Sequence, residues 1–401
     1  MVDAPLAADD PVARYLELGL RLGRHLEGMV DAYFGPAALA ERIDAEPVRP
    51  LPALVGDARG LVADLDRGDG DLDATRRRWL RAQAAGLHVA ARKLAGEDVA
   101  FVDEVEQCYG VRPTWVDHDT LADAHDRLDA ALPGSGTLAG RYEAWRAAHQ
   151  MTPEQVTAAV HALAEDFRAR TAAAFGLPEG EHVEFELVTD QPWSGFNYYE
   201  GGLRSRVAIN LDLPVSATAI GHLVAHEAYP GHHTEHCRKE VGLVRRRGQL
   251  EETIFLVGTP QCTMAEGLAD LALEALVGER PEAVLAELLH PLGIRYDAEA
   301  VAAVAQAGEA LSAVRGNAAL LLHDRGGSED EAIEELARWS LVSRDRAAKS
   351  ISFLTHPTWR AYIFCYVAGL PLCRRFVGGD PARFEQLLTE QLIPADLEAA
   401  A

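Results

Sequence analysis

Cysteine is scarce and odd in number: Cys108, Cys237, Cys262, Cys365 and Cys373 are the five in 401 residues, and none forms a Cys-x-x-Cys pair. That excludes a disulfide framework and fits a reducing compartment. Uninterrupted apolar runs of ~20 residues are missing, so no helix is expected to cross a membrane. The opening Met1-Val-Asp-Ala-Pro-Leu-Ala-Ala-Asp-Asp has neither a basic stretch nor an apolar one. A signal peptide is therefore not expected, and a cytoplasmic location is. Positive charge is in deficit: 38 basic residues against 62 acidic give a net −24. Such a surface repels phosphate backbones, so no nucleic-acid partner is expected. The triplet Arg245-Arg246-Arg247 reads as a solvated helix face. No Gly-x-Gly-x-x-Gly, phosphate-loop or Gly-x-Ser-x-Gly pattern occurs. Cys237 beside His236 is no catalytic dyad, because adjacent helical residues point ~100° apart.

What is present is helix. Hydrophobic residues make up 48% of the chain and charged residues 25%, an ordinary globular balance. Apolar residues recur at helical spacing over 11–34, 51–65, 75–94, 97–108, 120–132, 137–148 and 153–175. Thr152-Pro153-Glu154-Gln155 has the form of a capped helix start. The texture changes after Gly176. Val183–Val188 alternates like a half-buried strand, Trp193–Tyr199 is aromatic and irregular, and 204–211 reads as a second strand. The expected architecture is mainly α, with a small antiparallel sheet beside an active-site helix. Residues 1–178 form a helical wall, 179–401 hold the site, and helix resumes near Ser216.

Five of the 15 histidines fall between His222 and His236. The core reads His226-Glu227-Ala-Tyr-Pro230-Gly231-His232-His233. Imidazole is the commonest zinc ligand, and a Glu beside a ligand His can serve as general base. The usual His-Glu-x-x-His spacing is absent, since Pro230 stands in the fourth position. On a straight helix His232 lies ~9 Å along the axis and ~120° round, and His233 ~10.5 Å along. Neither can share an ion with His226 when bonds are ~2.0–2.1 Å. Pro230 and Gly231 supply the break: proline clashes with the His226 carbonyl and glycine admits a looped-out turn. Two extruded residues bring His232 into place, and three bring His233; the smaller loop favours His232. Glu266, on a later apolar helix, completes a set of two His and one Glu. Water takes the fourth position, and Glu227 is poised to deprotonate it. His222 is a ligand only in an arrangement that leaves Glu227 unexplained.

The segment from His226 to His233 resembles the hallmark of a bacterial family, domain of unknown function 885, grouped with zincin-like metallopeptidases. Asn197-Tyr-Tyr to Asn210-Leu is similar to that family's strand leading into the helix. Glu266-Gly-Leu-Ala-Asp-Leu resembles its Glu-Gly-Trp-Ala-x-Tyr block, with Leu268 for Trp. Asn317 to Ala332, with His323, and His356-Pro357 to Gly369, with Tyr366, resemble two further blocks. Asp31-Ala-Tyr-Phe-Gly-Pro36 echoes another. Asn317 stands where the family carries an acid. The resemblance implies a helical, gluzincin-type metallohydrolase fold.

The expected function is a zinc-dependent hydrolase acting on a peptide or small amide. Glu227 activates water, and Tyr366 and His323 donate to the oxyanion. Arg360 is a candidate for a substrate carboxylate, with Tyr362 and Asn210 as further substrate contacts. Each of these also has a plain packing role open to it. Two His and one Glu equally form the facial site of non-haem iron oxygenases. A degenerate, non-catalytic binding protein is a third reading.

Overall fold

The computed structural model describes residues 7, 9–68, 71–191, 193–212, 214–278 and 280–400. The reading of Met1–Leu6 and Ala8 as free of a leader pattern lies outside them. Helices dominate from Pro11 to the C-terminus, and no described helix is long and apolar enough to cross a membrane. The Thr152 cap closes with Gln155 in a reciprocal capping box, as its sequence predicts. All five cysteines are buried and unpaired.

Two small sheets interrupt the helices. Strand β1 (Val30–Tyr33) pairs antiparallel with β5 (Ile254–Leu256). The helix expected over 11–34 therefore ends at Gly23, and its last apolar residues belong to β1. Val30 packs on that helix so closely that a Cβ on Gly23 would lie 2.7 Å from its Cγ2. The pairing with β5 outweighs the helical spacing of those residues, since tertiary context overrides local propensity.

The second sheet has the order β2-β4-β3, with β2 (His182–Val188), β3 (Gly195–Gly201) and β4 (Arg204–Asn210). It is mixed, not antiparallel as expected. The turn at Gly201-Gly202 joins β3 to β4 as a hairpin, which leaves β2 to pair parallel on the other edge of β4. β4 is thus central and β3 lies at an edge. The irregular aromatic stretch is β3 itself; Phe196 and Tyr198 sit on it without a polar alternation that would mark it as a strand.

One core cluster joins residues on both sides of position 178, from Val89 and Phe167 to Leu268 and Phe364. Its centre is the helix Pro260–Val277, whose first fourteen residues are buried except Asp270. The helix Ile363–Val377 lies directly on it. A Cβ on Gly267 would sit 2.5 Å from the Gly369 carbonyl oxygen, so glycine at this crossing permits the close approach. That contact carries Tyr362 and Tyr366 toward Glu266.

Candidate metal centre

Ser216 caps the helix Ala217–Glu227 by accepting from the Thr218 amide at 3.2 Å. The helix stops at Glu227 and a second one runs from His232 to Lys239. Between them the Gly231 amide donates to the Ala225 carbonyl, and the Thr234 amide to that of Ala228. Both bonds span six residues where a helix spans four, so two residues are extruded. Gly231 is required: a Cβ there would lie 1.9 Å from the His226 carbonyl oxygen.

The extrusion sets His232 beside His226. Their Nε2 atoms are 3.2 Å apart, and Glu266 Oε2 lies 3.3 Å from the first and 3.8 Å from the second. Glu266 Oε2 is buried with no hydrogen-bond donor, although its other oxygen accepts from the Tyr362 hydroxyl at 2.6 Å. Two imidazole nitrogens and an orphaned carboxylate oxygen converging on one point match the donor set of a divalent cation. These residues fit zinc. On the far side of the ring, His226 Nδ1 lies 3.0 Å from Asp270 Oδ1. Burial would raise the Asp270 carboxyl, but the His226 imidazole holds it below the ordinary range. Burial alone would push His226 down, yet Asp270, Glu266 and Glu227 pull it well above its usual value. The locale therefore favours positive charge. His222 also approaches Asp270, at 3.5 Å, in a second and more exposed group with His226.

Glu227 is buried, and no donor among the described residues reaches its carboxylate. Burial raises its pKa. Its carbonyl oxygen accepts from Asn197 Nδ2 at 2.6 Å, which ties the helix end to β3. A Cβ on Gly195 would lie 3.3 Å from Glu227 Oε1, so the start of β3 runs past the acid. Tyr366 is 37% exposed, with its ring 5.6 Å from that of Tyr362 and within the electrostatic reach of Glu266 and Glu227.

Other expected site residues stand elsewhere. His233 points away from His226 and bonds Ser205 at 2.8 Å and Glu181 at 2.9 Å. Tyr362 is buried against Glu266, so it supports that carboxylate and does not face a substrate. Asn210 is buried too, and its side-chain amide donates to the carbonyls of Gln191 and Trp193. His323 Nε2 is taken by the Leu354 carbonyl at 2.7 Å, and its ring packs on Phe101. Arg360 is ion-paired with Glu104 at 2.5 Å and lines a separate cavity of about 320 Å³. Asn317 binds both backbone groups of Val116. Asp270 and Asn197 were not singled out as site residues from the sequence. The signal for Asp270 was its place four residues after Glu266, on one helix face.

No family model matches the chain, and no curated protein matches it. Among solved structures it is similar to a candidate lipoprotein from Colwellia psychrerythraea, at 16% identity and a TM-score of 0.53, over 86% of this chain. The chain spans 65% of the length of that protein. The likeness is one of fold. A candidate lipoprotein of unknown function from Shewanella oneidensis aligns at 14% identity and a TM-score of 0.47, over 97% of this chain and 81% of that one. An M32 carboxypeptidase from Deinococcus radiodurans R1 aligns at 13% identity and a TM-score of 0.38, over 97% and 93%.

Proposed function

We propose that this chain is a zinc-dependent hydrolase of peptide or small amide bonds, a gluzincin-type member of the domain of unknown function 885 group. The observation that carries the reading is the triangle of His226 Nε2, His232 Nε2 and Glu266 Oε2, with edges of 3.2, 3.3 and 3.8 Å. Tetrahedral ligands at bonds of ~2.0–2.1 Å stand about 3.3 Å apart. Three protein donors leave one position open, as catalytic centres do. Zinc held there would supply Lewis acidity to a carbonyl and acidify the attacking water.

The chain's own groups handle the proton and the substrate. Glu227 takes the proton from the attacking water and returns it to the leaving amine. Its raised pKa suits both transfers. The edge strand β3 would offer backbone groups to an extended substrate, and its first residue, Gly195, passes close to Glu227. Tyr366 donates its hydroxyl to the developing oxyanion. An iron oxidoreductase would share the three ligands, but the unpartnered Glu227 carboxylate favours hydrolysis. Five buried, unpaired thiols favour the cytoplasm as its compartment.

Elemental analysis paired with a peptide-library screen tests the reading. About one zinc per chain and metal-dependent cleavage are expected. His232→Ala should abolish zinc binding, while His233→Ala should weaken it ~10–100-fold through lost support. Stoichiometric iron with oxygen-dependent turnover would replace zinc hydrolysis with the oxidoreductase reading. No metal uptake at all would sink both.

A further inference from the structure

The cavity of about 320 Å³ that Arg360 lines has no part in the metal centre: none of His226, Glu227, His232 and Glu266 borders it. Its walls come from the last turns of the helix Ala74–Leu94, the helix Phe101–Tyr109, the turn before β1, the exit of β5 and residues 355–360. Most of the wall is apolar, from Leu26, Met29, Leu94, Val99, Val257 and Pro357. Cavities of about 300–1,000 Å³ take small ligands, and this one lies at the lower end of that range.

The polar side chains are of one kind at the buried end. Glu104 is 3% exposed and shared by two cations: Lys93 Nζ donates to its Oε1, and Arg360 Nη2 donates to its Oε2 at 2.5 Å. Both cations line the cavity, and each has more N–H groups than that carboxylate uses. Arg360 Nε and the hydroxyl of Thr358, a further lining residue, are buried without a partner. Buried polar groups left unpaired are costly and rare in a folded chain. Two positive side chains against one carboxylate also leave a net positive charge there. The lining acids Glu97 and Asp98 are exposed, Glu97 is paired with Arg92 at 2.7 Å, and water screens both.

We propose that this cavity binds a small molecule with one carboxylate on an aliphatic body. Its carboxylate would meet Lys93, Thr358 and Arg360, and its body would lie along the apolar wall. A carboxylate only accepts, so it uses the donors that Glu104 leaves over, and contacts from charged donors are the strong ones. An aliphatic body gains by leaving water for the wall. The site goes beyond the hydrolase reading and does not depend on it. Short fatty acids and free apolar amino acids share this chemistry; they differ in an α-ammonium, which the exposed Asp98 could receive.

Calorimetry on the full chain tests the site with 4-methylpentanoate, leucine and 4-methylpentanamide, which share one carbon skeleton. The acid, the amino acid or both should bind at least ~10-fold more tightly than the amide. Thr358→Val keeps the side chain's shape and removes its hydroxyl. It should weaken binding ~10-fold and leave thermal unfolding unchanged or raised, because the hydroxyl it deletes has no partner. Ala90→Leu fills the cavity from the helix Ala74–Leu94 without altering a charge, and should abolish binding. Affinity should survive treatment with a chelator, since no residue of the metal centre borders the cavity. A preference for 4-methylpentanoate assigns a fatty acid, a preference for leucine assigns an amino acid, and equal affinity for the two upholds the shared carboxylate site. Amide binding as tight as that of the acids overturns the proposal. So do binding of none of the three, full affinity in both variants, and affinity that disappears with the metal.

Discussion

Asp270 meets His226 on the ring nitrogen that faces away from Glu266, with Oδ1 3.0 Å from Nδ1. The contact leaves Nε2 as the ring nitrogen turned to His232 and Glu266, and on the proposed reading an acid behind a ligand imidazole would raise its basicity. Tyr362 does the same for Glu266 by donating to its second oxygen at 2.6 Å. His226 and Glu266 thus each have a polar neighbour on the side turned away from the point where their other donor atoms converge.

Removing either support should therefore cost affinity and spare the fold. Asp270→Asn and Tyr362→Phe are each expected to weaken zinc binding ~10–100-fold. Competition with a chelator of known affinity measures it. Unchanged zinc affinity in Tyr362→Phe would show that its hydroxyl serves packing alone.

Glu227 and Glu266 should separate cleanly. Glu227→Gln is expected to keep its zinc and lose ~10²–10⁴-fold in kcat. Glu266→Gln should lose the metal. Elemental analysis and turnover on one peptide distinguish them, and the reverse pattern would exchange their roles.

Gly231 offers a test of the broken helix. A Cβ at this position meets the His226 carbonyl oxygen at 1.9 Å, whereas a Cβ on Gly242 meets nothing within 4 Å. Gly231→Ala should destabilise the protein by about 3 kcal/mol or more and release zinc, while Gly242→Ala stays within ~0.5 kcal/mol. Thermal unfolding of the two variants gives the comparison.

His236 predicts an acid limb of stability. It stacks on Tyr199 with ring centres 4.6 Å apart, and burial pushes its pKa down to about 3, with Glu235 opposing and Lys239 assisting. The unfolded chain protonates this residue below about 6.5. Between those values the unfolded state takes up a proton that the folded state refuses. Stability should fall as pH falls through that window, by at most ~1.4 kcal/mol per pH unit from this group. His236→Phe keeps the stacking ring and removes the titration, so its urea-unfolding free energy should fall less from pH 6.5 to about 4.5. Parallel profiles for the two proteins would show that His236 titrates normally.

The helices were legible because alanine-rich amphipathic spacing and caps such as Thr152 act locally. The placing of His232 was legible for the same reason, since a proline and a glycine in sequence order limit how a helix can break. Contacts made across long sequence distances were not. Nothing beside His323 announces the Leu354 carbonyl, and nothing beside Arg360 announces Glu104. Nothing beside His233 announces Glu181 either: the nearer acid Glu235 pairs with Lys239, and Glu181, on the approach to β2, meets the imidazole. The strand of Asp31 was read as helix because its partner, β5, lies over two hundred residues further on.

That pairing has a consequence for anyone who would divide the molecule. Cutting after residue 178 would strip β5 of its only strand neighbour among the described residues. The orphaned edge would be short, wholly apolar (Ile254-Phe255-Leu256) and newly wet, which is the recipe for sticking to another copy. His226, His232 and Glu266 would all remain on the larger fragment, yet it would be expected to precipitate before it could bind anything.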